Sequence, residues 1–263
     1  MSPGDPPTSP ADAGGAAVAA EVAQLRAELA QTQAELQDFV YTVSHDLRAP
    51  LRHIFAYAQV IEEDWPDAPS EVSGHLATIR GSAQLLTQQL EGLALLSRIV
   101  NQPIQLQEVD VAALVRDCVD ELMQNKPERH VQWQLASDVP HVVADAHGLS
   151  QVLSHLLDNA LKFTRDREPA VIALTWRRLP VTVANQTECI EFSLQDNGIG
   201  FALEQADKLF KVFSKLHPVR EFEGLGLGLL LARKWLASMQ GTIGIKGTLN
   251  GGCCVLITLP LAN

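Results

Sequence analysis

Apolar positions near the start of the chain fall at Val22, Leu25, Leu29, Leu36, Phe39 and Val43, with Thr32 in the same series. The steps alternate between three and four residues, which predicts a long helix with a heptad seam. From Phe39 they become steps of four, through Val43, Leu47 and Leu51, before three-and-four spacing resumes at Ile54, Ala58 and Ile61. A run of fours carries the seam around the helix, and the shift falls at His45. Trp65-Pro66-Asp67-Ala68-Pro69 is predicted to be a loop. A second helix places Leu76, Ile79, Ala83, Leu86, Leu90, Leu93 and Ser97 at heptad spacing, and Pro103 closes it. Two such helices form an antiparallel hairpin that cannot cover its own stripe, so a dimeric four-helix bundle is expected.

From about Glu108 the pattern changes. Val111–Met123 has the period of a short helix, and Val131–Leu135, Val171–Trp176 and Cys189–Gln195 alternate like strands. Leu149–Phe163 is helical, with Leu149, Leu153, Leu156 and Ala160 on one face. A final helix is predicted from about Gly226 to Gln240, with Gly241 as its C-cap, then two strands joined across Asn250-Gly251-Gly252. The fold class expected is a helical hairpin followed by an α/β sandwich of about 150 residues.

Composition narrows the partners. The chain has 263 residues, 46% of them hydrophobic, and a net charge of −11. That charge disfavours nucleic acid and anionic membrane. No stretch approaches the ~20 apolar residues of a membrane span. Met1–Ala17, rich in Pro, Gly and Ala, carries no signal-peptide pattern and is expected to be a disordered tail. Cys118, Cys189, Cys253 and Cys254 lack CxxC spacing, and the last two, adjacent in a strand, should point to opposite faces. Reduced thiols and a cytoplasmic location are expected.

His45 stands two residues from both Val43 and Leu47, about 200° from each around a helix, so its imidazole should face solvent. Neutral imidazole is a usable nucleophile, and Asp46 can hold its other N–H and take the proton. A solvent-facing histidine is ordinarily just surface, the assignment given to His53, His75, His130, His141, His147 and His217. On the later helix, His155, Asn159 and Lys162 lie at i, i+4 and i+7 as one polar stripe, which periodicity alone cannot distinguish from a solvated face.

Five segments occur in order: Ser44-His45-Asp46-Leu47-Arg48-Ala49-Pro50-Leu51, His155–Phe163, Asp196-Asn-Gly198-Ile-Gly200, Leu209–Phe213 and Gly224-Leu-Gly226-Leu-Gly228. Over about residues 38–260 this set resembles the H, N, G1, F and G2 boxes of bacterial two-component sensor histidine kinases. Phe201–Gly228 looks closest to their phytochrome-like branch.

The resemblance implies a coiled-coil signalling helix over 18–38, a dimerisation and phosphotransfer domain over 39–103, and an ATP-binding domain of the GHKL ATPase type over 108–263. It implies that His45 is autophosphorylated, with Asp46 assisting, and that the phosphoryl group passes to a response regulator receiver domain. ATP and Mg²⁺ are the implied cofactors. Asn159 would offer Mg²⁺ an oxygen and Lys162 would meet phosphates, with Phe163 beside them. Asp196 would accept the adenine amino group, with Gly198 and Gly200 giving close approach. Phe201–Glu223 resembles a lid carrying Lys215 and Arg220 and anchored by Phe210 and Phe213, and Gly224, Gly226 and Gly228 would cradle the triphosphate.

The chain departs from the family pattern at His155, usually a second asparagine, and at Cys253–Cys254, usually Ser/Thr and an aromatic. Ala49 stands where phosphatase-active members carry threonine or asparagine, so weak phosphatase activity is expected. About 37 residues precede the H-box, too few for a sensor domain of ~100 residues, so a separate sensory protein acting in trans is expected. Other readings are a catalytically weak dimeric scaffold or phosphotransfer module, and an ATPase of the gyrase or chaperone type without phosphotransfer.

Overall fold

The computed structural model describes residues 10–99, 102–124, 126, 128–181, 187–216, 222 and 224–262, with side chains from residue 20 onward. Its contacts divide the chain into two compact units, Met1–Ser97 and Arg98–Asn263.

The first unit is a hairpin of two helices, α1 (Pro10–Asp64) and α2 (Ser70–Ile99). The helix starts at Pro10 rather than at 18, so residues 10–17 do not form the expected tail. Alanine is the strongest helix former and proline is tolerated in the first turn, which accounts for the extension. Residues 1–9 of that tail lie outside the described residues.

A covered stripe on α1 runs Gln37, Val40, Ser44, Arg48, Leu51, Phe55, Ala58 and Glu62, three and four apart, with Val43 half-buried at its side. They meet α2 through the Arg80–Glu62 ion pair and through Arg80, whose guanidinium lies 5.5 Å from the Phe55 ring centre. On α2, Leu76, Ala83 and Ala94 are buried. The seam anticipated from the sequence is therefore two stripes. Ala58, Leu76 and Ala83 belong to the covered one, whereas Leu36, Phe39, Leu47, Ile54, Ile61, Ile79 and Leu86 are exposed. A single hairpin covers one stripe per helix, and this second apolar stripe stays open to water.

In the second unit a five-stranded sheet has the order β2-β4-β5-β7-β6: β2 (Val131–Leu135), β4 (Ala170–Leu179), β5 (Cys189–Asp196), β7 (Gly252–Pro260) and β6 (Thr242–Thr248). In this sheet β2 and β4 pair in parallel, and the β4–β5, β5–β7 and β6–β7 pairs are antiparallel. Two further strands, β1 (Gln107–Val109) and β3 (Val142–Ala144), pair antiparallel. At three residues each they are too short to show alternation, and the sequence pattern does not reveal them.

Three helices, α3 (Val111–Gln124), α4 (Ala146–Phe163) and α5 (Gly228–Ser238), cover the sheet, with α4 packed against both others. The core is formed by Leu149, Val152, Leu153, Leu156 and Leu157 of α4 against Ile172, Ile190, Phe192, Ile257 and Leu259 of the sheet. Asp145 caps α4, accepting from the Gly148 N–H at 2.8 Å.

The end of α5 differs from the expected glycine cap. Gln240, at φ 60°, takes the left-handed position, while Gly241 donates to the Leu236 carbonyl at 2.7 Å. With Gln240 donating to Ala237, this is a full Schellman motif displaced by one residue. Gly241 is needed for space instead, since a Cβ there would overlap the Thr258 carbonyl oxygen.

Candidate functional sites: an exposed histidine and a nucleotide pocket

On α1, the His45 side chain is 67% exposed and Asp46 72%. The ring turns outward because its neighbour Ser44, only 2% exposed, occupies the covered stripe of the hairpin. His45 Nδ1 lies 3.2 Å from Asp46 Oδ1. With the proton on Nδ1 donated to this carboxylate, the Nε2 lone pair points to solvent. Pro50 sits inside α1 just beyond, where it removes one backbone donor.

The candidate site of the second unit begins with strand parity. Ile190, Phe192 and Leu194 are buried on the helix-facing side of β5, and Asp196 continues that series, 8% exposed. A carboxylate is thus held under the helices. Its Oδ1 accepts from the Gly198 N–H at 2.8 Å and the Cys253 N–H at 3.3 Å. Burial pushes the Asp196 pKa above the ordinary carboxylate value, and these two hydrogen bonds oppose the shift. Cys253 pairs with Asp196 across β5 and β7, and burial pushes its thiol pKa far up, so it stays a neutral thiol. Cys254 turns to the other face, 3.1 Å from the Ser193 hydroxyl.

Gly198 and Gly200 are required by space. A Cβ on Gly198 would stand 2.5 Å from the Phe163 carbonyl oxygen. Gly200 has φ 59°, and a Cβ there would overlap the Thr248 carbonyl oxygen. Arg167 braces this turn by donating to the Gly198 and Asn250 carbonyls at 3.2 and 3.0 Å.

His155, Asn159 and Lys162 are all half-buried along α4. Lys162 Nζ donates to Asn159 Oδ1 at 2.9 Å and lies 4.6 Å from the Phe163 ring centre. Burial lowers the Lys162 pKa, Asp158 opposes that, and Lys215 and Lys126 reinforce it, so Lys162 and Lys215 act on the same region. Burial likewise lowers the His155 pKa, against Asp158, leaving a neutral imidazole at pH 7.

Gly228 opens α5 beside this stripe. A Cβ on it would lie 3.7 Å from His155 Cβ and 3.8 Å from Asn159 Nδ2. Gly226, predicted to be helical, instead precedes α5 at φ 71°, packed on the Ser214 carbonyl, and Gly224 has φ 117°. These positive-φ glycines turn the chain ahead of α5, whose first turn receives no side-chain cap.

In the lid segment a 3₁₀ helix spans Leu203–Phe210. Phe210 and Phe213 are half-buried, with the Arg233 guanidinium 5.1 Å from the Phe210 ring centre. Arg220 lies outside the described residues.

The structure adds residues that the sequence pattern missed. Phe222, 6% exposed, packs on Phe163 with ring centres 5.0 Å apart and carries the Arg165 guanidinium 4.3 Å from its own. Its signal was a large apolar residue in a polar lid. Cys253 could have been found by counting register from the Gly251-Gly252 turn, whereas nothing in the pattern singled out Arg167.

Asn159 fits a magnesium ion of a nucleotide complex. Its amide oxygen has two lone pairs, one engaged by Lys162 and one left for a cation. Among the described residues no cluster of three His, Cys, Asp or Glu could hold a metal by itself. Phosphate oxygens and water would have to complete such a site.

Residues 35–102 match the family model of the His Kinase A (phospho-acceptor) domain. Residues 144–263 match that of the histidine kinase-, DNA gyrase B-, and HSP90-like ATPase. Phytochrome-like protein Cph1 of Synechocystis is 29% identical over 87% of this chain and 29% of its own length. Methanogenesis regulatory histidine kinase FilI of Methanothrix harundinacea is 31% identical over 86% of this chain and 24% of its own. A crystal structure of full-length ShkA in complex with AMPPNP superposes with TM-score 0.58 at 25% identity, over 86% of this chain and 46% of that one. A phospho-acceptor hairpin joined to a GHKL-type ATPase fold defines a histidine kinase core. The chain belongs to the sensor histidine kinases, with phytochrome-like proteins among its relatives. It spans 29% and 24% of the lengths of these two relatives. No helix among the described residues is long and apolar enough to cross a membrane.

Proposed function

We propose that this chain is an ATP-dependent protein histidine kinase that phosphorylates its own His45 and passes the group to an aspartate of a response regulator receiver domain. The observation that carries this reading is the outward imidazole of His45, held through Nδ1 by Asp46. Its Nε2 lone pair attacks the γ-phosphorus, an N–P bond forms, and the P–O bond to the β-phosphate breaks, releasing ADP. The ring gains positive charge as it reacts, and Asp46 takes the Nδ1 proton. Asp196 accepts the adenine amino group. Lys162, Lys215, Arg220 and the Gly224–Gly228 turn meet the phosphates, and Phe163 and Phe222 form an apolar wall. When bound through Asn159, Mg²⁺ supplies charge neutralisation for the phosphates.

Incubation with γ-labelled ATP tests this directly. Acid-labile label on the protein is expected. No turnover would favour a silent scaffold, and free phosphate alone an ATPase without phosphotransfer.

We also propose a homodimer, because the open stripe of Leu36, Phe39, Leu47, Ile54, Ile61, Ile79 and Leu86 would otherwise face water. Analytical ultracentrifugation at micromolar concentration should show a dimer, and Leu47→Glu with Ile54→Glu should shift it to monomer. A wild-type monomer would contradict the proposal.

Dephosphorylation of the regulator should be weak. Ala49 stands one turn beyond His45, exposed, and offers no group to orient water. Decay of phospho-regulator with this protein and ADP is expected to match the spontaneous rate, and Ala49→Thr to accelerate it.

A further inference from the structure

Resting on the nucleotide-site reading above, we propose that His155 gives this kinase a preference for ATP complexed with a nitrogen-accepting divalent ion, of the cobalt or nickel kind, over Mg-ATP. His155 and Asn159 lie one turn apart on the same stripe of α4. Both stand against the first residue of α5, as the 3.7 and 3.8 Å approaches to a Cβ on Gly228 show. The His155 side chain is therefore at the start of α5, next to the side-chain amide of Asn159 whose oxygen would meet the cation.

An ordinary packed histidine would have its ring nitrogens satisfied. His155 makes no hydrogen bond among the described residues, although it is half-buried. Neither nitrogen is sealed off as a buried unpaired atom. The ring thus offers an uncommitted lone pair next to the site.

Ligand chemistry then sets the preference. An amide oxygen and phosphate oxygens suit Mg²⁺, which dehydrates reluctantly and takes nitrogen poorly. An imidazole nitrogen offered beside that set does little for Mg²⁺ and strengthens binding along the order Mn²⁺, Co²⁺, Ni²⁺.

The test is calorimetric binding of β,γ-methylene-ATP to the full chain in the presence of Mg²⁺ or Co²⁺, with the Co²⁺ absorption spectrum recorded in parallel. The wild type should favour the Co²⁺ complex by about tenfold more than His155→Asn does. On binding, the Co²⁺ bands should shift away from those of the free nucleotide complex, in the direction of nitrogen ligation. His155→Gln should behave as His155→Asn, and the wild-type spectrum stands even if a variant misfolds. Normal nucleotide binding with the same metal preference in wild type and His155→Asn would overturn this inference alone. Absence of nucleotide binding with either metal would overturn it together with the nucleotide-site reading.

Discussion

Asp196→Asn should weaken nucleotide binding by about a hundredfold, the order lost when a hydrogen bond to a charged group is replaced by a mismatch. Asp196 Oδ1 is fixed by the Gly198 and Cys253 N–H groups. The asparagine oxygen will take that position, because only it can accept both bonds. Its amide N–H₂ then faces the adenine amino group, donor against donor. The same substitution should raise the apo-protein's thermal midpoint at pH 7. The folded-state pKa of Asp196 lies above its ordinary value, so the folded protein holds this proton more tightly than the unfolded chain. Its charge therefore costs stability, and the cost grows as pH rises from the ordinary value through the raised one, then stays in full above it. Asparagine removes that cost. The stabilisation should shrink as pH falls and vanish below the ordinary carboxyl range. Calorimetric scans from pH 3 to 8, paired with nucleotide titrations, measure both effects, and a variant less stable at pH 7 would refute the account of the buried charge.

His45→Gln should remove all protein-bound label from γ-labelled ATP while leaving nucleotide affinity unchanged. Glutamine keeps a helix-compatible polar side chain, so the exposed position tolerates it. What it lacks is a nucleophilic nitrogen, because the amide lone pair is delocalised. Asp196, Asn159 and Lys162, the residues proposed to bind nucleotide, belong to the other unit. Asp46→Asn should retain some label at a reduced rate, since the tautomer is still held but the proton has no basic acceptor. Label persisting at full level in His45→Gln, on His53 or His75, would displace His45 from its role.

The helices and the central strands of the second unit were legible because their apolar period is long enough to repeat. Leu149, Leu153, Leu156 and Ala160 are all buried in α4. The alternation of Cys189–Gln195 became β5, and its parity placed Asp196 under the helices. The hairpin misled for a physical reason. A bundle helix has two apolar stripes about a residue apart, and one heptad series through Phe39, Val43 and Leu47 cannot separate the covered stripe through Val40, Ser44 and Leu51 from the open one. Ser44 belongs to the covered stripe despite its hydroxyl, and polarity alone pointed away from it. Gln240 took the left-handed cap position because Gly241 was needed one residue later against Thr258. The Phe163–Phe222 contact joins residues far apart in sequence, so no local pattern could carry it.

The central claim is that His45 Nε2 receives the γ-phosphoryl group of ATP. Its most direct measurement is phosphopeptide mapping after incubation with ATP, with digestion and mass spectrometry kept at neutral or alkaline pH to preserve the N–P bond. The account predicts a single phosphorylated peptide containing Tyr41–Arg48, modified on His45, and its loss on brief acid treatment. An acid-stable phosphate on Ser44, or phosphorylation of any other residue with His45 unmodified, would contradict it.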